Sequence, residues 1–257
     1  QMCIRDSYKG AYMTYCVGLL LEKGLVFMSD TRTNSGVDNL SVFQKMFTWT
    51  VPGERLITIM TAGNLATTQC LVNLLDERSK TPEDRDPSIL KVSSMFQVAK
   101  LIGDTLREII LDTSPTGLSG DSSFSANIIL GGQIKGGQQR LFLIYPEGNF
   151  IEASEDTPFF QSGETKYGRP ILVRAFDRNM TFEDAVKLLM VSFDSTLKAN
   201  LSVGLPLDLQ IYERDSLTKG MEKRFESYDP YYLKISEGWS TALKEAQRSL
   251  PNFHFEA

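Results

Sequence analysis

Two runs rich in β-formers, between Thr14 and Thr31, flank Glu22-Lys23-Gly24. They predict a hairpin closed by a short glycine-containing loop. Pairing Leu21 with Leu25 sets Cys16 opposite Asp30 and Thr14 opposite Arg32. Thr14, Cys16, Asp30 and Arg32 then share a face, with Thr14 and Asp30 as diagonal neighbours about 7–8 Å apart. A second strand pair, Val42 to Thr50 and Arg55 to Thr61, is divided by a Pro52-Gly53 turn. On its first strand Lys45 falls between Phe43 and Phe47, an ammonium among aromatic rings, where a neutral or paired lysine is expected.

Near Gly63 the period changes. Leu65, Cys70, Leu71 and Leu74 recur at helical spacing, so a strand passes directly into a helix. After the polar loop Ser79 to Pro87, a single apolar stripe from Val92 to Ile110 predicts the clearest helix of the chain. Strands return at Ser125 to Leu130, Arg140 to Tyr145 and Asn149 to Glu152. Helices follow at about Gly163 to Phe176 and Thr181 to Leu197, the second opened by a near capping box, Thr181 with Asp184. A strand at Leu207 to Tyr212 and a helix near Glu237 to Arg248 close the chain. Blocks of strands and helix pairs in this order predict an α+β fold: two sheets face to face, helix pairs outside, in one domain with a small C-terminal helical extension.

Composition narrows the chemistry. The chain has 257 residues, 42% of them hydrophobic, and a net charge of -5. That mild acidity argues against a nucleic-acid binder. Its one histidine, His254, stands near the C-terminus, which argues against a Ser-His-Asp triad, a Cys-His dyad or a histidine zinc site. Cys3, Cys16 and Cys70 have no metal-ligand spacing and suit a reducing compartment. With no apolar run long enough for a membrane span and no secretory signal, the expectation is a cytoplasmic protein without metal or cofactor.

Thr14, Asp30 and Lys45 on adjacent strands could supply a nucleophile and its base. Taken singly, each has a plainer reading: a strand threonine, a turn carboxylate, a lysine snorkelling to solvent. Gly63 alone would be a backbone hinge, and Ser162 before Gly163 a helix cap.

Taken together, the residues resemble a family. From Met13, MTYCVGLLLEKGLVFMSDTRTN resembles the start of a proteasome β-subunit, with a threonine followed sixteen residues later by Asp-x-Arg, here Thr14, Asp30 and Arg32. The order continues through Lys45 in QKMF, Gly63 in TAGN, SANIILGGQ, RLFLIYPEGNF, Ser162-Gly163 in QSGETKYGRPIL, and KANLSVGLPLDLQIY. Within that superfamily the opening segment looks most like the Anbu peptidases of bacteria. The resemblance implies an αββα N-terminal-nucleophile hydrolase. It implies that Thr14 Oγ attacks a peptide carbonyl while its own α-amine, of reference pKa about 7.7–8.0, takes the proton. Lys45 would lower that pKa, Asp30 would orient Lys45, Gly63 would offer an N–H to the oxyanion, and Ser162 would stand near the α-amine. The late Arg-Asp-x-x-Ser-Gly pattern of the family is altered here to Ala199-Asn200-Leu201-Ser202-Val203-Gly204, so Asn200 and Ser202 are accessory candidates only.

The resemblance further implies identical subunits in a ring-like or open-ring oligomer, a peptide or unfolded-protein substrate, and no cofactor; an ATPase partner is left open. Two rival functions remain: a small-amide hydrolase of the same fold, and a catalytically silent structural subunit. The mechanism needs Thr14 as the first residue. Residues 1–13 are therefore expected to be absent from the mature chain, either removed or foreign to it, with translation starting at Met13.

Overall fold

The computed structural model describes residues 14–34, 40–80, 87–113 and 124–255. The leader expected to be absent from the mature chain lies outside them. Strand β1 (Tyr15–Leu21) turns into β2 (Gly24–Asp30), and alternation along β1 explains its near-continuous apolar run. Tyr15, Val17, Leu19 and Leu21 enter a core beneath helices, whereas Cys16 enters a second core between two sheets. Both faces of the strand are thus covered.

The hairpin register differs from the predicted one. Leu21 pairs with Gly24 and Leu20 with Leu25, so the loop is the two residues Glu22 and Lys23. Two-residue loops are the favoured hairpin connection, and Gly24 takes a strand position close against Tyr212 O, where a Cβ would stand 2.0 Å away. A one-residue slip exchanges faces. Cys16 therefore faces Ser29, not Asp30, and the expected common face of Thr14, Cys16, Asp30 and Arg32 does not form.

Strands β3 (Arg32–Asn34) and β4 (Leu40–Val42) make a separate two-stranded sheet that the sequence reading missed. The predicted strand from Val42 to Thr50 is broken, because residues 43–45 are irregular before β5 (Met46–Val51). Strand β6 (Arg55–Gly63) leads through Asn64 into α1 (Leu65–Lys80), and α2 (Met95–Thr113) follows. On α1 the buried face carries Thr67, Thr68, Leu71, Val72 and Leu75, so Cys70 is turned outward, contrary to the predicted stripe. Strands β7 (Ala126–Ile134), β8 (Arg140–Ile144) and β9 (Phe150–Glu152) complete a sheet in the order β5-β6-β7-β8-β9.

A further unpredicted strand, β10 (Phe159–Gly163), joins β1 and ends at Gly163, where the helix was expected to begin. Helix α3 (Thr165–Ala175) and helix α4 (Phe182–Ala199) follow, the latter capped by Thr181 Oγ1 accepting from the Asp184 N–H at 3.1 Å, as predicted. Strands β11 (Leu207–Glu213) and β12 (Glu222–Phe225) give the first sheet the order β10-β1-β2-β11-β12. Helix α5 (Pro230–Ser249) starts seven residues before the predicted Glu237, because Asp229 caps it with Pro230 in the first turn.

Three apolar clusters stack through the molecule. Ile57, Ile59, Leu130 and Phe142 pack under α1 and α2; Phe27, Leu56, Ile129 and Leu141 fill the space between sheets; Val17, Met28 and Leu209 pack under α3 and α4. The architecture is the predicted αββα sandwich. At one end, Lys45, just before β5 of one sheet, bonds Asp30 at the end of β2 of the other.

Candidate active site

Thr14 immediately precedes β1 and is 5% exposed. Its carbonyl accepts from the Glu164 N–H at 2.8 Å, which fastens the start of β1 to the end of β10. Gly163 makes that approach feasible. It has φ +86°, and a Cβ there would lie 1.9 Å from Thr14 O, so no other residue fits without displacing Thr14.

Asp30 ends β2, fully buried, and is surrounded by donors. Its Oδ1 accepts from Lys45 Nζ at 2.8 Å and from the Tyr15 N–H at 2.9 Å; its Oδ2 accepts from the Gly204 N–H at 3.4 Å. Complete burial pushes the Asp30 carboxyl above its ordinary value, while the Lys45 ammonium and these N–H groups pull it back. Lys45 is 4% exposed and also donates to the Arg32 carbonyl at 2.6 Å. The predicted aromatic seat for Lys45 is thus replaced by a carboxylate and a carbonyl. This follows from the break in the strand, since Lys45 precedes β5 and no longer shares the alternation of Phe43 and Phe47.

Gly63 ends β6 with φ +121°, and a Cβ would meet Ser125 O at 2.4 Å. The chain turns there into α1, with Asn64 Oδ1 accepting from the Thr67 N–H at 2.9 Å, so the helix N-terminus and its partial positive charge stand beside Gly63. Thr61 joins the two sheets behind this point: its N–H donates to Lys45 O at 2.9 Å, and its carbonyl faces Cys16 Sγ at 3.7 Å.

Ser162 lies opposite Cys16 in the β1–β10 ladder and is 4% exposed. It belongs to a strand, not to a helix cap, and its buried hydroxyl has no hydrogen-bond partner among the described residues. Asn200 caps the end of α4, and its Oδ1 accepts from Ser202 N and Ser202 Oγ at 2.9 and 2.7 Å. These two accessory candidates therefore bond to each other, and the segment reaches Asp30 through the Gly204 N–H. Arg32 braces the same segment, donating from Nη1 to Leu201 O at 3.0 Å. Gly204 and the Tyr15 N–H were not among the predicted site residues. Gly204 stands at the glycine of the altered Arg-Asp-x-x-Ser-Gly pattern, which was the available signal.

Among the described residues, no group of three or more His, Cys, Asp or Glu side chains is placed to hold a metal. His254 is exposed beyond α5. No helix of the described residues is long and apolar enough to cross a membrane.

The family model for proteasome subunits matches residues 13–204, the stretch that carries all of these groups. This chain belongs to the proteasome subunit family. Solved Anbu structures lie nearer to it than the curated subunits do. Anbu (ancestral beta-subunit) from Yersinia bercovieri is 45% identical, covering 95% of this chain and 100% of that one, with a TM-score of 0.89. The Anbu complex of Pseudomonas aeruginosa, seen as a helical assembly, is 46% identical over 94% of this chain and 98% of that one, with a TM-score of 0.87. The proteasome subunit beta of Methanocaldococcus jannaschii is 25% identical over 212 residues, 82% of this chain and 85% of that one. Within the proteasome family the chain thus sides with the Anbu group.

Proposed function

We propose that this chain is a threonine-type peptidase subunit in which Thr14, once it is the first residue, is both nucleophile and base. The observation that carries this reading is the buried Lys45–Asp30 pair, 2.8 Å long, with Asp30 also bonded to the residue that follows Thr14. Thr14 Oγ attacks the peptide carbonyl carbon, and its proton passes to the α-amine, whose ordinary pKa of about 7.7–8.0 suits a base near neutrality. Lys45, held by Asp30, supplies a fixed positive charge that favours the alkoxide and the unprotonated amine. Charge developing on the carbonyl oxygen is received at Gly63, beside the N-terminus of α1. The α-amine then gives the proton to the departing nitrogen, and water later hydrolyses the ester on Thr14.

A silent structural role is disfavoured on physical grounds. Burying a lysine and an aspartate carries a desolvation penalty that a scaffold position avoids by holding apolar residues. A small-amide substrate would use the same groups. Self-association with identical copies is part of the proposal, supported by the helical assembly of the Pseudomonas aeruginosa relative. The cytoplasm, where degradation of unfolded protein would take place, is the compartment proposed for it.

Covalent labelling by a threonine-directed electrophile, followed by peptide mapping, tests the assignment. Label is expected on Thr14 and absent from Thr14→Ala. Label on another residue, or equal cleavage by the Thr14→Ala protein, would end it.

A further inference from the structure

Helix α5 outruns the helix that carries it. The two lie side by side in the same direction: the Tyr232 hydroxyl donates to Asp194 Oδ1 at 3.4 Å, and Lys198 Nζ donates to Ser236 Oγ at 3.0 Å and to Ser240 Oγ at 3.2 Å. Helix α4 ends at Ala199, one residue later. From Thr241 to Ser249 every residue of α5 is exposed, so nine helical residues project about 14 Å beyond the last of these bonds.

The docking face does not end where its support does. Tyr232, Ser236, Trp239, Leu243, Ala246 and Leu250 follow one another at steps of four and three, the spacing of a coiled-coil seam. Leu243 is 48% and Leu250 65% exposed. Glu237, Lys244, Glu245 and Arg248 lie toward the opposite side, so the projecting seam and its flanks, Ala242, Gln247 and Ser249, are uncharged. A projecting helix this short gains little from propensity and draws its stability from packing its apolar face.

We propose that a second copy of this chain supplies that packing, with two α5 helices lying antiparallel about a two-fold axis. This rests on the self-association proposed for the chain and assigns it a surface. Self-complementarity identifies the occupant. An isologous interface sets one face against itself, where any charge would meet its own like, and this face has none. With the axis between Leu243 and Ala246, Leu243 opposes the partner's Ala246, and Trp239 opposes the partner's Leu250. Larger side chains thus meet smaller ones, and the helices approach closely. A parallel pair would set Trp239 on its own copy and leave a gap between two Ala246 side chains. It would also bring both globular bodies to the same end of a short overhang.

Sedimentation velocity of the full chain gives the first reading. Wild type is expected to dimerise or assemble further at micromolar concentration. Leu243→Glu should raise the dissociation constant of this contact about 30-fold or more, whereas Arg248→Glu, on the outer side, should change it less than about threefold. Leu243 is half exposed, so the single chain tolerates the change. Cysteine pairing then reads the orientation. In a Cys3→Ser/Cys70→Ser background, Leu243→Cys chains mixed with tagged Ala246→Cys chains should form a mixed disulfide dimer on oxidation with copper phenanthroline. Leu243→Cys alone should link to itself far less. A monomeric wild type overturns the helix pair and the self-association with it. An assembly that Leu243→Glu leaves unchanged, or self-linkage of Leu243→Cys in preference to the mixed dimer, overturns the helix pair alone. Labelling of Thr14 is read separately in each variant, so the nucleophile assignment stands or falls by itself.

Discussion

The Tyr15 N–H donates to Asp30 Oδ1 at 2.9 Å, the same oxygen that receives Lys45 Nζ at 2.8 Å. One carboxylate oxygen thus fixes both the chain next to the nucleophile and the cation proposed to activate it. The consequence for Asp30→Asn is definite. The amide keeps the shape but removes the charge that orients Lys45, and kcat should fall roughly 10²–10⁴-fold, with KM changed much less. Steady-state kinetics on a peptide substrate reads this; a loss under threefold would remove Asp30 from the mechanism.

Lys45→Met leaves an uncompensated carboxylate at a fully buried site. Breaking a buried pair from one side destabilises by about 3–5 kcal/mol, on the order of 10 °C in Tm for a chain of this size. Adding Asp30→Asn should recover much of the Tm and none of the activity. Recovery of both would mean that the pair only supports the fold.

The raised Asp30 pKa gives stability and activity opposite pH trends. The folded state binds this proton more tightly than the unfolded chain. The stabilising contribution is therefore complete below the ordinary carboxylate value and is lost as pH rises through the raised one. Activity climbs over the same interval, because Lys45 needs an ionised partner. Melting temperatures of wild type relative to Asp30→Asn should decline with pH across that interval while kcat rises. A difference in Tm that grows with pH would contradict this.

The two described cysteines should separate sharply. Cys16 is fully buried between the sheets, and burial pushes its thiol far above the usual range, so it stays protonated. Cys70 is exposed on α1. Iodoacetamide on the native protein is expected to alkylate Cys70 and leave Cys16 intact, with both modified after denaturation. Native labelling of Cys16 would show that the sheets open readily at this end.

Tyr15 binds the site to the helices as well. Its hydroxyl lies 2.8 Å from Ser192 Oγ and accepts from Gln161 Nε2, and its ring meets Phe193 with centroids 4.5 Å apart. Tyr15→Phe strands two buried polar groups and should lower stability by about 1–3 kcal/mol, measured by denaturant titration. An unchanged midpoint would mean that water replaces the hydroxyl.

Much of the site was readable because its chemistry follows local strings. The resemblance implies that Asp30 holds Lys45, and the two bond at 2.8 Å although the hairpin register differs by one residue, since the family's strings do not depend on which face a residue takes. Strand β10 escaped because Phe159 to Gly163, FFQSG, shows no alternation of apolar and polar positions. Helix α5 carries its start signal in Asp229 before Pro230, seven residues ahead of the predicted Glu237. The Gly204 donor reaches Asp30 across a separation of 174 residues, so only the assembled fold supplies it.

The clasp at Thr14 has one more consequence. Chain ends normally fray, with opening free energies near zero. If Thr14 is the mature terminus, this end is held through its first carbonyl by Glu164 and through its second amide by Asp30. Releasing it also uproots the buried Tyr15 ring. Hydrogen exchange at the second amide of the chain would then be as slow as in the core strands, so the nucleophile loses its position only when the sandwich itself opens.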